Sequence, residues 1–215
     1  MQGMMSQQSH MPIEHVSQND SSPTPNPAPG SSASDAGFSV PIGKPWKKPR
    51  LHIVLVEPEI PNNTGNIGRT CVTTGCKLHL VKPLGFEIDE KACRRAGLDY
   101  WPRLDLEEHD ALDAYLDAHP PVAGKTWFLT TKATQTIYDA PIAMGDHLVF
   151  GRESAGLPDS IHEGYPSQRV CVPLVVGERS LNLSTCVAIT VYEAIRKMIE
   201  SGQAAVDASG RLVEP

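Results

Sequence analysis

"LHIVLVEPEIPNNTGNIGRTCVTTG", residues 51–75, changes its period partway along. LHIVLVE is a short, β-rich run suited to a buried strand. In NTGNIGRTCVTTG, Ile67 and Cys71 lie about one helical turn apart, and Gly75 stands where a left-handed residue ends a helix. The stretch therefore reads as strand, polar loop, helix. The pattern continues outward from it. KLHLV (77–81) reads as a strand stopped by Pro83, and Asp89 as the cap of a helix over EKACRRAG (90–97). RLDLEEH (103–109) is a weak strand and DALDAYLDAH (110–119) an amphipathic helix. KTWFLTT (125–131), HLVFG (147–151) and RVCVPLV (169–175) are further strands, the last two separated by a short helix after Pro158. The segment ERSLNLSTCVAITVYEAIRKMI (178–199) closes the series as a helix, with Ala188, Val191, Ile195 and Met198 expected on one face. Strands alternating with helices predict an α/β fold, a largely parallel sheet covered on both faces.

Such sheets bind ligands beyond the carboxyl ends of their strands. EPEIPNNTGN, GRESAGLP and VVGERSLNLS follow three of the strands, and Thr130, Thr131 and Lys132 follow a fourth. These loops are rich in Gly, Asn, Ser and single charges, types that allow tight turns and close backbone approach. Asn182 or Ser184 reads as a cap for the last helix. A cap leaves Arg179 unexplained, because a cation near a helix amino end is electrostatically reversed unless an anion lies between them. No G-x-G-x-x-G and no P-loop is spelled out. The eight histidines are scattered along the chain without an H-x-x-x-H pair, so each reads as an ordinary surface or core residue and no metal is expected.

The chain has 215 residues, enough for one domain plus a tail. Its 25 acidic residues against 19 Lys and Arg give a net charge of −6, so nucleic acid would need a local basic patch. Five cysteines without a C-x-x-C pair fit neither a disulfide framework nor a zinc site and read as small apolar fillers. Residues 1–46, with SSPTPNPAPGSSASDAG, are expected to be a disordered tail, residues 47–202 the folded domain and residues 203–215 a flexible tail. KPWKKPR (44–50) at the first junction reads as a solvated linker or a nucleic-acid contact. Without a signal peptide or a membrane-length apolar run, the expected location is the cytoplasm.

Three ordered motifs carry a resemblance: EPEIPNNTGNIGRTCVTTG (57–75), LVFGRESAGLP (148–158) and VPLVVGERSLNLSTCVAITVYEAIR (172–196), with RRAGLDYW (94–101) as a further match. Together they resemble the SPOUT, or α/β knot, superfamily of S-adenosylmethionine-dependent RNA methyltransferases, and most closely its TrmL (YibK) type. Those enzymes methylate the 2′-hydroxyl of the wobble nucleotide in the tRNA anticodon. The resemblance implies a mostly parallel six-stranded sheet with helices on both faces, a deep carboxyl-terminal trefoil knot, a homodimer, and tRNA anticodon stem-loop as substrate. It further implies that S-adenosylmethionine is held by Leu129 and Thr130, by Gly151, by Val172 to Leu174, and by Ser180, Leu181 and Leu183. Arg69, Asn63, Glu153 and Asn182 carry over as catalytic positions. Leu174 departs from the Met of many relatives, a volume-conserving change.

The implied chemistry needs alignment more than activation, because the sulfonium methyl is already electrophilic. A guanidinium with a pKa above about 12 is almost never deprotonated, so Arg69 is expected to position a phosphate or to pass the proton through that phosphate or a water. Arg69, Arg94, Arg95, Lys132 and Arg152 are the candidate RNA contacts. Tyr192 reads as packing, with an RNA or cofactor-edge contact as the other reading. Alternatives are a SPOUT enzyme for another tRNA or rRNA site, and a non-catalytic RNA-binding protein on the same scaffold.

Overall fold

The computed structural model describes residues 48–87 and 99–215, all within one compact unit spanning Ile42–Pro215. The helix expected over 90–97, Arg94, Arg95, Cys93 and the amino-terminal tail lie outside the described residues.

Six strands form one sheet in the order β3-β2-β1-β5-β4-β6. They are β1 Leu51–Val56, β2 Lys77–Val81, β3 Leu106–His109, β4 Thr126–Leu129, β5 Asp146–Phe150 and β6 Arg169–Val170, and every neighbouring pair is parallel. Among the described residues the four α-helices are α1 Pro61–Thr74, α2 Leu112–Ala118, α3 Asp159–Gly164 and α4 Leu183–Glu200. Alternation along the strands decides which helix covers which face. Leu51, Ile53, Leu55, Leu78, Leu80, Leu148 and Phe150 share one core with Ile67 and Cys71 of α1 and Val187, Val191 and Ile195 of α4. Val54, Val56, Val81, Phe128 and Val149 face the opposite way, against Tyr115 of α2 and Ile161 of α3. The expected parallel sheet with helices on both faces is present.

Gly75 ends α1 at φ 70°, a conformation that penalises a Cβ, and its N–H donates to the Cys71 carbonyl. Within α4 the buried stripe is Val187, Thr190, Val191, Ala194, Ile195 and Met198, while Ala188 is only partly covered. The true face is thus rotated by one residue at its start, since packing against α1 and the sheet sets the phase.

Two further expectations are corrected. Arg50 is no solvated linker residue: it is fully buried and donates to the carbonyls of Thr74, at 3.2 Å, and Val213, at 3.3 Å. Residues 203–215, expected as a flexible tail, include an antiparallel hairpin of β7 Ala205–Val206 and β8 Leu212–Val213. Its ordering has a physical cause in Ala204, which is buried in the core, and in Gln203, whose side-chain oxygen accepts the Met144 N–H at 2.9 Å.

Candidate active site

The loops leaving β1, β4, β5 and β6 meet around one cavity of about 480 Å³ at the carboxyl ends of the strands. That size is ordinary for a small-molecule site. Leu129, Thr130, Gly151, Val172, Leu174, Ser180, Leu181 and Leu183, eight of the residues expected to hold a cofactor, line it, and so do Asn63, Glu153 and Asn182, whereas Pro173 does not. Arg69 does not.

Glu153 organises the cavity wall. Helix α1 has no side-chain cap of its own and no acidic residue in its first turn. Its amino end nevertheless needs acceptors for unpaired N–H groups and favours negative charge. The Glu153 carboxylate, more than ninety positions away, accepts from the backbone N–H of Glu59 at 2.9 Å and Ile60 at 3.3 Å and from Asn63 Nδ2 at 2.9 Å. Glu59 returns the contact, accepting from Ser154 N–H at 2.9 Å and Ser154 Oγ at 2.7 Å. These bonds hold the Glu59 carboxyl below its ordinary pKa. Arg152 pairs with Glu57, whose φ of 50° lies in the left-handed region.

Asn182 extends the same network. Its Oδ1 caps α4, accepting from Ser184 N–H at 2.9 Å, Thr185 N–H at 3.3 Å and Ser184 Oγ at 2.7 Å. Its Nδ2 donates to Asn63 Oδ1 at 2.9 Å. The amino ends of α1 and α4 are thereby joined by a chain running Glu153, Asn63, Asn182. Three positions expected to be catalytic are each engaged in building the site. Arg179, which a cap alone does not explain, is exposed, and it has no hydrogen bond or ion pair among the described residues.

Gly151 admits no side chain. A Cβ there would come within 2.1 Å of the Gly156 carbonyl carbon, where Arg152 and Gly156 exchange backbone hydrogen bonds and fold the loop onto itself. Lys132 lines the cavity and pairs with Asp159 at 3.3 Å. Arg69 is exposed on α1, its guanidinium 4.7 Å above the centre of the Tyr100 ring. Tyr100 is itself buried and donates to the Gly65 carbonyl at 2.5 Å. Sequence reading missed Glu59 and Tyr100. Nothing local marks either residue, because Glu59 meets Ser154 in the loop after β5 and Tyr100 meets Gly65 and Arg69 of α1. Tyr192 is 56 % exposed, so it is not part of the monomer core.

Residues 50–192 match the SpoU rRNA methylase family. A tRNA (cytidine(34)-2'-O)-methyltransferase of Polaromonas sp. is 50% identical over 148 residues, covering 68% of this chain and 90% of that one. A solved protein described as giving structural insights into the 2-OH methylation of C/U34 on tRNA is 41% identical, with a TM-score of 0.64 over 70% of this chain and 97% of its own. The SpoU methyltransferase AviRb of Streptomyces viridochromogenes, solved in complex with AdoMet, shares the fold at 21% identity and a TM-score of 0.60, over 73% of this chain and 63% of its own. With that family match spanning most of the folded unit, the chain belongs to the SpoU rRNA methylase family.

Proposed function

We propose that this methyltransferase uses S-adenosylmethionine to methylate the 2′-hydroxyl of the wobble ribose of tRNA. The observation that carries the reading is one cavity lined by eight of the expected cofactor residues and bounded by the Glu153, Asn63, Asn182 chain. The residues fit such a group: apolar Leu129, Val172, Leu174 and Leu183 offer a surface for a flat ring, and the collapsed 151–157 loop leaves backbone at the wall. Bound there, S-adenosylmethionine supplies an electrophilic methyl group. The chain's own residues bind and orient. Glu153 and Asn182 fix the two helix amino ends against each other, so the wall is already formed before substrate arrives. Arg69 positions an RNA phosphate, and the hydroxyl proton leaves through that phosphate or water.

Arg69 lies outside the cavity of its own chain, and this supports a site completed by a second copy. Ile60, Val175, Val176 and Leu181 are exposed apolar residues on the loops around the cavity, a surface suited to burial in a homodimer. The threading of the 172–183 segment as a trefoil knot is also part of this reading. It is supported by the family and by that segment sharing one cavity with the loops after β4 and β5. The setting is proposed to be the cytoplasm, where tRNA is found; among the described residues no helix is long and apolar enough to cross a membrane.

The test is site-specific mapping of ribose methylation in tRNA from cells with and without the gene, alongside the purified chain with tRNA and S-adenosylmethionine. A wobble methyl group that depends on the gene supports the assignment. Methylation that depends on the gene at another tRNA or rRNA position refutes the wobble assignment, and the absence of any transfer refutes the enzymatic one.

A further inference from the structure

The other face of the sheet carries chemistry that the methyl-transfer site does not use. Strand register sets His52 of β1 opposite His147 of β5, and Val54 of β1 opposite His79 of β2, which in turn stands opposite Glu107 of β3. His109 follows two residues after Glu107, on the same face. His119 sits at the carboxyl end of α2, which covers that face. Five imidazoles and Tyr115 consequently pack together on the face opposite α1 and α4. The His52 and His147 rings stack at 4.1 Å, and the His119 ring lies 5.2 Å from His79 and 5.8 Å from His109.

We propose that His79, His109, His119 and Glu107 form a binding site for a divalent first-row transition ion of the zinc class. Their candidate ligand atoms all lie within 4.8 Å of one another. His79 Nδ1 and His109 Nε2 are 3.0 Å apart, His79 Nδ1 is 3.8 Å from Glu107 Oε2, and His109 Nε2 is 3.8 Å from Glu107 Oε1. Four donors placed tetrahedrally at zinc bond lengths are separated by roughly 3.3 Å, so the observed spacings bracket the required one. His119 Nε2 is buried and has no hydrogen-bond partner among the described residues, a cost that a ligand bond removes. The supporting contact is also present, since His79 Nε2 lies 2.9 Å from His52 Nδ1. With the proton on His79 Nε2, that bond orients the ring and leaves the Nδ1 lone pair facing the site. Neutral imidazole is the form that ligates zinc, copper and nickel. Half-exposed Glu107, held by Lys77 at 2.9 Å, marks the way in from the β3 edge. An ion here would pin the edge strand and the end of α2 to the centre of the sheet.

The test uses the full, tag-free chain stripped with chelator and titrated with Co²⁺. The expected result is one saturating equivalent with the visible absorption of tetrahedral Co²⁺, displaced by one equivalent of Zn²⁺. His109→Gln and His119→Gln should each weaken binding by ~100-fold or more, and His52→Asn by roughly tenfold, the scale of losing the hydrogen bond that orients a ligand. These variants retain His10, His15 and His162, so any loss is assigned to the cluster. Zn²⁺ should raise the melting temperature of the wild type and not of His119→Gln. The proposal is overturned by a chain that shows no saturable Co²⁺ band, or by a band that survives both ligand substitutions. X-ray absorption of the Zn²⁺-loaded wild type finding fewer than two imidazole ligands would overturn it even if the variants fail to fold.

Discussion

In the proposed function, Arg69 serves the chemistry of the site and Gly151 its construction. Arg69 lies outside the cavity lining, with its guanidinium over the Tyr100 ring. Arg69→Ala is therefore expected to leave S-adenosylmethionine affinity within about twofold while single-turnover methyl transfer falls by roughly two orders of magnitude, the scale of losing a positioned electrostatic group. Arg69→Lys should recover little of it, because an ammonium lacks the planar fork that grips a phosphate. Calorimetry beside single-turnover kinetics decides the matter; lost cofactor binding in Arg69→Ala would relocate the residue to the donor pocket. Gly151→Ala should show the opposite order. Its methyl would collide with backbone, so the 151–157 loop must move and carry cavity-wall residues with it. Cofactor affinity should fall first, with transfer reduced on the order of 100-fold by misplacement and the circular dichroism unchanged. The position was legible in sequence as a glycine permitting close approach. That the approaching group is the backbone of Gly156 was not, because the contact depends on how the loop closes.

At the scale of elements, the site is a junction between two helix amino ends. Asn182 performs two functions with two atoms: Oδ1 caps α4, and Nδ2 reaches Asn63. Asn182→Ala should lose both, lowering stability by about 1 kcal/mol for the cap and the melting temperature by about 2–4 °C for a domain of this size. Asn182→Asp should keep the cap and most of the stability while setting a carboxylate against Asn63 Oδ1, so transfer falls without a matching thermal loss. Equal thermal losses in the two variants would show that the link to Asn63 is itself stabilising and not a device of the site. The cap was readable from the residue type and its place before LSTCVAITV. The capping of α1 by Glu153 was not, because α1 has an Ile at its N-cap and draws its carboxylate from a loop after β5.

For the whole molecule, a composite site predicts complementation. Arg69→Ala and Gly151→Val are each expected to be inactive as homodimers, one lacking the phosphate contact and the other the cofactor wall. Mixed and reassociated, they should form heterodimers in which one of the two sites is intact, restoring activity to roughly a quarter of wild type if the chains assort randomly, half being heterodimers with one site of two. Methyl transfer by the mixture measures it. A mixture as inactive as its parts would mean that Arg69 serves the cavity of its own chain, and light scattering showing a fully active monomer would remove the dimer altogether. Lys48, Lys132 and Arg152 remain partly or fully exposed, although Lys132 and Arg152 already pair with Asp159 and Glu57. The net charge of −6 thus makes RNA affinity depend on a few local cations and should make it fall steeply with salt.

The sequence by itself determined the alternation of strands and helices, the left-handed stop at Gly75, the cap at Asn182 and the rim where the loops meet. Each of these depends on period or on the chemistry of adjacent residues, which a linear reading contains. Only the tertiary structure decided which atoms share a neighbourhood. Packing set the face of α4 one residue from its expected start, and burial turned Arg50 from an apparent linker cation into a support for the final hairpin. Register then gathered histidines from four strands and one helix end onto a single face. One His in each of LHIVLV, KLHLV, LEEH and DHLVF is unremarkable when the strands are read singly. Their convergence comes from parallel pairing, which aligns residues tens of positions apart and is invisible until the sheet order is known.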